Sequence, residues 1–216
     1  MTNRDNQKKP ALSRDEIAAA LAPFGVTLAG AQLAAIERYV ELLLAWNQSI
    51  NLTALEDPLE IVARHFGESL FAASVIPMQT GRLADVGSGA GFPGMALKIA
   101  FSDLDVVLIE PNRNKCAFLA EVKGALGLVG VDIVRDRYEK WQVPLHSFDF
   151  ICSRALGNYR NFLRWGQNVL KPKGQVVLWL GTDDSTIIGN TPGWNWSLPT
   201  PMPESRRRVI LSGRPT

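Results

Sequence analysis

Gly87, Gly89 and Gly91 stand at alternate positions in LADVGSGAGFPGMALKI (residues 83–99), with Gly94 close behind. Lacking a Cβ, glycines of this spacing allow positive φ and let a ligand approach the backbone. Asp85 precedes the first glycine by two residues, where a carboxylate can hold the loop and receive a ligand ammonium. It would repel a pyrophosphate. Pro93 withholds an N–H at the start of the next helix, where a pyrophosphate wants donors. Gly89-Ala-Gly91-Phe-Pro-Gly94 nevertheless satisfies G-x-G-x-x-G, so a dinucleotide and S-adenosylmethionine both fit the pattern. Glu110, at the end of the following strand, would accept hydrogen bonds from ribose hydroxyls in either case. The positive charge of a sulfonium amino acid suits an acid-edged loop, and S-adenosylmethionine is the preferred reading. Nothing points to a metal: Cys116 and Cys152 are far apart without ligand spacing, and both read as buried thiols.

A glycine turn of this kind needs a strand before it and a helix after it. RLADVG supplies the strand, and a helix begins near Phe92 or Pro93. DVVLIE and VDIVRD read as the second and third strands, FDFICSRA and QVVLWLG as the fourth and fifth. Helices over RNKCAFLAEVKGALGL and RNFLRWGQNVL alternate with them. This order predicts a parallel sheet covered on both faces. RRRVILS reads as a last, antiparallel strand, and residues 182–203, rich in Gly, Pro, Ser, Thr and Asn, as loop. Residues 1–80 read as helices: SRDE at Ser13–Glu16 is a capping box. Leu33, Ile36, Val40, Leu43 and Leu44 follow helical spacing, and Asp57-Pro58 opens a further helix. The expected organisation is a helical cap over 1–80 and an α/β core over 81–216, together one compact unit.

With 216 residues, 46% hydrophobic and 20% charged, the composition is that of an ordinary globular chain. No 18-residue apolar run suggests a membrane span. The polar opening MTNRDNQKKP lacks the apolar stretch of a secretory leader, so a cytoplasmic protein is expected; a lone domain with little apolar surface left exposed suggests a monomer. The net charge of +2 conceals an asymmetry: residues 10–110 hold 5 basic and 12 acidic side chains, residues 111–216 hold 15 basic and 8 acidic. Arg154, Arg160, Arg164, Lys171 and Lys173 fall in a stretch, 153–182, without an acid. A surface of that charge suits a polyanion, or is merely solvated.

DVGSGAGFPG, together with WNQSINLT (46–53), RHFGES (64–69), RDRYEKW and CSRAL, closely resembles the RsmG/GidB family of bacterial methyltransferases. Members methylate N7 of a guanine in 16S ribosomal RNA. The resemblance implies a class I S-adenosylmethionine-dependent methyltransferase fold, Rossmann-like, with a seven-stranded mostly parallel sheet and an N-terminal helical cap. It implies 16S ribosomal RNA or the small ribosomal subunit as partner. Carried over by position, Asp85, Gly87, Ser88, Gly89 and Phe92 belong to the cofactor loop. Glu110 would hold the ribose, and Tyr138 and Glu139 the adenine edge. Arg154 would sit at the mouth beside the methyl group as the catalytic candidate, unless it merely pairs with an acid such as Asp85. His65, on a helix facing the mouth, would bind the substrate. Arg160, Arg164, Arg206, Arg207 and Arg208 are candidates for RNA. Two departures concern the RNA-facing edge. Glu68 replaces the usual Asp, and Leu180 stands where many members have lysine, followed by Asp183, Asp184 and a segment without the usual helix. A nicotinamide-dependent oxidoreductase and a non-catalytic RNA-binding module that keeps the pocket are the rival readings.

Overall fold

The computed structural model describes residues 12–154 and 156–216; the basic decapeptide at the start lies outside them. Helix α1 (Arg14–Leu21) opens on the expected capping box, the Ser13 Oγ accepting from the Glu16 N–H while the Glu16 carboxylate accepts from the Ser13 N–H. Helix α2 (Gly30–Asn47) follows, and Asp57 caps α3 (Pro58–Ile61), accepting from the N–H groups of Leu59 and Glu60. The same helical rod continues through a π-helical turn at Val62–Gly67 into α4 (Glu68–Val75). Such turns displace side chains from ordinary helical phase and recur at functional sites. This one carries Arg64 and His65 and delivers Glu68 to a buried position. Gly67 presses its backbone against the Phe24 ring, leaving no room for a Cβ.

Strands β1 (Gly81–Val86), β2 (Leu104–Ile109), β3 (Val131–Val134), β4 (Phe148–Arg154) and β5 (Leu170–Gly181) form the parallel part of the sheet. Helices α5 (Gly94–Ala100), α6 (Arg113–Ala125), α7 (Tyr159–Val169) and α8 (Thr182–Ile188) lie in the connections. Short strands β6 (Trp194–Trp196) and β7 (Thr200–Pro201) precede β8 (Arg208–Pro215), which inserts antiparallel beside β5. The sheet order is β3-β2-β1-β4-β5-β8-β6, seven strands on the main path, with β7 paired to β8 as an eighth. The parallel strands with crossover helices and the antiparallel return match expectation. The segment 182–203 does not: it holds α8, β6 and β7 rather than loop, and the helix expected to be missing after the fifth strand is present. Ser185 and Ile188 are buried and anchor α8 to the sheet. Helix α5 starts at Gly94, one or two residues later than the sequence suggested, and β5 starts earlier, at Leu170.

Successive strand residues face opposite sides, and the sides differ in what covers them. Leu83, Val106, Leu108, Cys152, Val177, Trp179 and Ile210 pack with the N-terminal helices, including Ile17, Tyr39 and Phe66, in one cluster. Ala84, Val86, Val107, Ile151, Leu178 and Leu211 pack with Phe162, Ile188 and Trp194 on the other face. The helical cap therefore shares its core with the sheet.

Candidate functional site

The glycine turn leaves β1 at the carboxyl edge of the sheet. Gly87, Gly89 and Gly91 all take positive φ, at 75°, 57° and 90°. Their tasks differ. A Cβ on Gly87 would point into open space, meeting only Leu156 Cδ1 at 3.9 Å. At Gly91 it would collide with the Tyr39 hydroxyl, and at Gly94 with Leu108 and Asp85. Gly87 keeps a space clear for a ligand; Gly91 and Gly94 let the turn pack closely. Tyr39, from α2, donates to the Ala90 carbonyl at 2.6 Å, so the cap holds the loop directly.

Asp85 does not edge the ligand space. It is fully buried beneath the loop, Oδ2 accepting the Gly94 N–H at 2.9 Å, while Oδ1 finds no well-placed donor. Burial pushes its carboxyl up to about 7, against the pull of the Gly94 N–H, the Cys152 thiol and the Ser88 hydroxyl. Its role is to hold the start of α5. Ser88 is buried as well, donating to the Asp85 carbonyl at 2.8 Å, and Phe92 turns toward the cap, ringed by Tyr39, Phe66 and His65.

A cavity of about 500 Å³ opens over the turn, lined by Gly87, Glu110, Asp136, Arg137, Tyr138, Glu139 and the segment Leu156–Asn158. Such a volume suits a nucleoside-sized ligand. Gly87, Glu110, Tyr138 and Glu139 thus come together, whereas Asp85, Ser88 and Phe92 are buried behind the turn; Gly89 is half-exposed and ties the turn to Glu110 through its N–H without itself lining the cavity. Glu110 accepts the Gly89 N–H and the Asn112 N–H, both at 2.9 Å, one on each oxygen. A carboxylate oxygen has two lone pairs, so capacity remains for ligand hydroxyls. The Tyr138 hydroxyl is buried without a hydrogen-bond partner, and burial lifts its pKa to about 12, with the charge of Glu139 adding to the effect. Asp136, Arg137 and Asn158 were not singled out by sequence; they lie in irregular segments whose path no periodicity reveals.

Arg154 and Tyr159 do not line this cavity but a second one, of about 250 Å³. The partner of Arg154 is Glu68, at 3.1 Å, rather than Asp85. Glu68 is 2% exposed and gathers two more guanidinium groups, Arg64 at 3.1 Å and Arg208 at 2.5 Å. Burial raises the Glu68 carboxyl against the pull of the three arginines and lowers Arg154 despite the carboxylate. The Glu68 carbonyl accepts from Trp179 Nε1 at 2.7 Å, and Arg154 Nη1 remains buried and unpartnered. Sheet register explains the convergence. Arg154 pairs with Trp179, Trp179 with Ile210, and Arg208 lies two residues before Ile210, so all share the cap-side face. Glu68 had a signal in sequence, an acid four residues after Arg64 inside an apolar helix. Trp179 and Tyr159, also in this cavity, had none.

His65 lines neither cavity. It stacks on Phe92 at 4.7 Å, and its Nε2 bonds to Thr53 Oγ1 at 2.8 Å. Burial, with the charges of Arg154 and Arg64, lowers its pKa to about 3, so the imidazole is neutral. Arg160 and Arg164 are exposed along α7, beside a groove of about 570 Å³ between α7 and α8. Arg206 and Arg207 are exposed before β8; Arg208 alone of the triplet turns inward. Both cysteines are buried free thiols. Among the described residues, no group of His, Cys, Asp and Glu is arranged to hold a metal, and no helix is long and apolar enough to cross a membrane.

A family model described as GidB, rRNA small subunit methyltransferase G, matches residues 32–190. The chain belongs to this family. A relative from Herminiimonas arsenicoxydans named Ribosomal RNA small subunit methyltransferase G is 35% identical over 198 residues, 88% of this chain and 90% of its own. One of the same name from Pseudomonas fluorescens is 39% identical over 155 residues, 72% and 71% of the two chains. Among solved structures, a SAM-dependent methyltransferase from Aquifex aeolicus aligns with a TM-score of 0.61 at 18% identity, over 74% of this chain and 94% of that one. Precorrin-6y C5,15-methyltransferase from Geobacter metallireducens reaches 0.58 at 14%, over 78% and 92%. These likenesses establish the class I methyltransferase fold. Family membership sets the nicotinamide reading aside, and the turn supplies a physical reason. Asp85 occupies the Gly94 N–H and Pro93 has none, so the start of α5 lacks the donors a pyrophosphate needs.

Proposed function

We propose that this protein transfers the methyl group of S-adenosylmethionine to N7 of a guanine in 16S ribosomal RNA. The observation that carries the reading is the pair of cavities that draw their walls from neighbouring residues after β4, one of nucleoside size lined by Leu156–Asn158 and one lined by Arg154, Arg208, Tyr159 and Trp179. S-adenosylmethionine supplies an electrophilic sulfonium methyl group. Gly87 would leave room for it, the free lone pairs of Glu110 would accept from its ribose hydroxyls, and Tyr138 and Glu139 would border its adenine. Bound there, it would supply a methyl carbon to the N7 lone pair and keep the electron pair of its carbon–sulfur bond on sulfur. N7 bears no proton, so no general base is required. The isolation of neutral His65 from both cavities agrees with that. What the chain must do is align N7 with the methyl group, and Arg154 at the end of β4, lining the second cavity, would orient the base.

Arg160, Arg164, Arg206 and Arg207, exposed around the second cavity and the groove beside it, are assigned to RNA phosphates. The enzyme acts as a monomer in the cytoplasm, where its ribosomal substrate is assembled. Among the described residues, its large exposed apolar side chains, such as Val129, Leu145, Ile187 and Leu198, come from separate segments of the chain. The test is to incubate the protein with small ribosomal subunits and methyl-labelled S-adenosylmethionine, then digest the RNA and separate its nucleosides. Label in 7-methylguanosine is expected. Label in another nucleoside, or none while the cofactor binds, refutes the assignment.

A further inference from the structure

The usual arginine contact to guanine grips O6 and N7 together. An enzyme that methylates N7 must leave that atom open to the methyl donor, so it cannot recognise guanine in that way. Discrimination has to come from O6 and from the donors N1–H and N2–H2. Reading those donors calls for an acceptor, and a carboxylate is the acceptor that takes two parallel N–H groups at once.

The second cavity contains that combination. Arg154 and Arg208 stand on one wall, with Arg154 Nη1 unpartnered. Trp179 and Tyr159 supply aromatic surface. Asp184, in the first turn of α8, lines the same cavity with its carboxylate free of hydrogen-bond and ion-pair partners among the described residues. The Asp184 charge reaches Tyr159, whose hydroxyl pKa burial raises and that charge raises further. Glu68 is too deeply buried and too fully engaged with three arginines to serve as the acceptor. Asp183 lies next to Asp184 on the same exposed turn but does not line the cavity.

We propose that this cavity is the base pocket for the target guanine, with Asp184 accepting from N1–H and N2–H2 while an Arg154 or Arg208 N–H donates to O6. Adenine presents an amino group where guanine has O6, so the same arginines turn it away, and it offers Asp184 no matching pair of donors. Methylation leaves the base cationic, and the Asp184 carboxylate then faces a positive ring, which offsets the cost of holding that ring beside two guanidinium groups. Asp184 is thus a specificity-determining residue for the reaction, and the inference rests on the guanine-methylating role proposed above.

The test reads base recognition without relying on turnover. Guanosine, inosine and adenosine 5′-monophosphates are titrated into the protein saturated with S-adenosylhomocysteine, with binding followed by ligand-observed NMR. Inosine lacks the N2 amino group and so forfeits one hydrogen bond to a charged acceptor, which is worth roughly tenfold to a hundredfold in affinity. Wild type is expected to prefer guanosine over inosine monophosphate by that margin and to bind adenosine monophosphate weakest. Asp184→Asn erases the preference, Asp184→Glu restores part of it, and Asp183→Asn leaves it intact. S-adenosylhomocysteine affinity is the same in all four proteins. An unchanged guanosine-to-inosine ratio in Asp184→Asn overturns the proposal, as does failure of wild type to bind guanosine monophosphate at millimolar concentration. Intact guanine selectivity with no methyl transfer to ribosomal RNA refutes instead the catalytic role and leaves the base pocket standing.

Discussion

Asp85→Asn separates what the carboxylate does for the fold from what it does for the ligand. Burial raises the pKa of this carboxyl to about 7 from its ordinary value of 3.8. A carboxyl whose folded pKa is raised binds its proton more tightly in the native state, so stability falls as pH rises from about 3.8 to about 7 and then levels off. At 1.36 kcal/mol per unit, the full cost above pH 7 is on the order of 4 kcal/mol. Asparagine keeps an oxygen to accept the Gly94 N–H and carries no charge to bury. The variant should therefore gain about 2–3 kcal/mol relative to wild type between about pH 5 and about pH 8.5. Urea denaturation of both proteins across that range measures the difference, and subtracting the two curves cancels the titration of every other group. Because the carboxylate lies beneath the loop rather than in the cavity, S-adenosylmethionine affinity at neutral pH should change by less than about tenfold. Parallel stability curves would show that Asp85 ionises normally in the fold. A loss of affinity beyond a hundredfold with the fold intact would return the carboxylate to the ligand.

Gly87→Ala strains a backbone at φ 75° and places a methyl group in the cavity. Calorimetric titration should show S-adenosylmethionine binding weakened by more than about tenfold, with a stability loss of only about 1–2 kcal/mol; unchanged affinity would remove Gly87 from the site. Tyr39→Phe removes the hydroxyl bonded to Ala90, and thermal denaturation should register a loss of about 1 kcal/mol. Gly91→Ala, which drives a methyl group toward that hydroxyl, should cost more in wild type than in the Tyr39→Phe background, and equal costs would break the link between cap and loop. Arg160→Ala combined with Arg164→Ala should lower the slope of log affinity for ribosomal RNA against log salt by about 2 while leaving cofactor binding unchanged. A slope identical to wild type would make both arginines solvated surface.

The fold was legible wherever one periodicity dominated. Short apolar runs alternating with helices specified the parallel strands, and in-phase apolar positions specified α2. The region 182–203 was misread because its composition pointed the wrong way. Thr182, Asp183, Asp184 and Ser185 are residues of turns and caps, and Ile187 and Ile188 are β-branched, so the two acids of the first turn are the main local signal for a helix and composition outweighs them. Docking of Ser185 and Ile188 against the sheet decides the matter, and such docking is visible only once β5 and β8 are side by side. The candidate site divides in the same way. Gly87, Glu110, Tyr138 and Glu139 were found because the turn and strand ends that carry them follow one another along the chain. Asp85 was placed on the wrong side of the loop because strand alternation sets its side chain on the cap face, with Cys152, under α5 rather than toward solvent. The Glu68 cluster draws on α4, β4 and β8, and no spacing within a single segment encodes a meeting of three.

Leu180 illustrates how register changes the meaning of a substitution. A lysine at the end of the fifth strand reads, in sequence, as a phosphate contact, and leucine there as its loss. In the sheet, Leu180 pairs with Val209 and is 4% exposed in the cluster beneath α7 and α8. The side chains of Arg154, Trp179 and Arg208 alternate to the opposite face, where the guanidinium groups gather on Glu68, and Leu180 meets them only at the strand end, where it borders the same cavity. The strand end keeps its positive charge on the cap side, from Arg208 supplied by β8, and acquires a free carboxylate from Asp184 one turn further on. Together these turn an edge that looked depleted of cations into a site with a donor on one side and an acceptor on the other. A phosphate needs only the first of these; a guanine edge needs both.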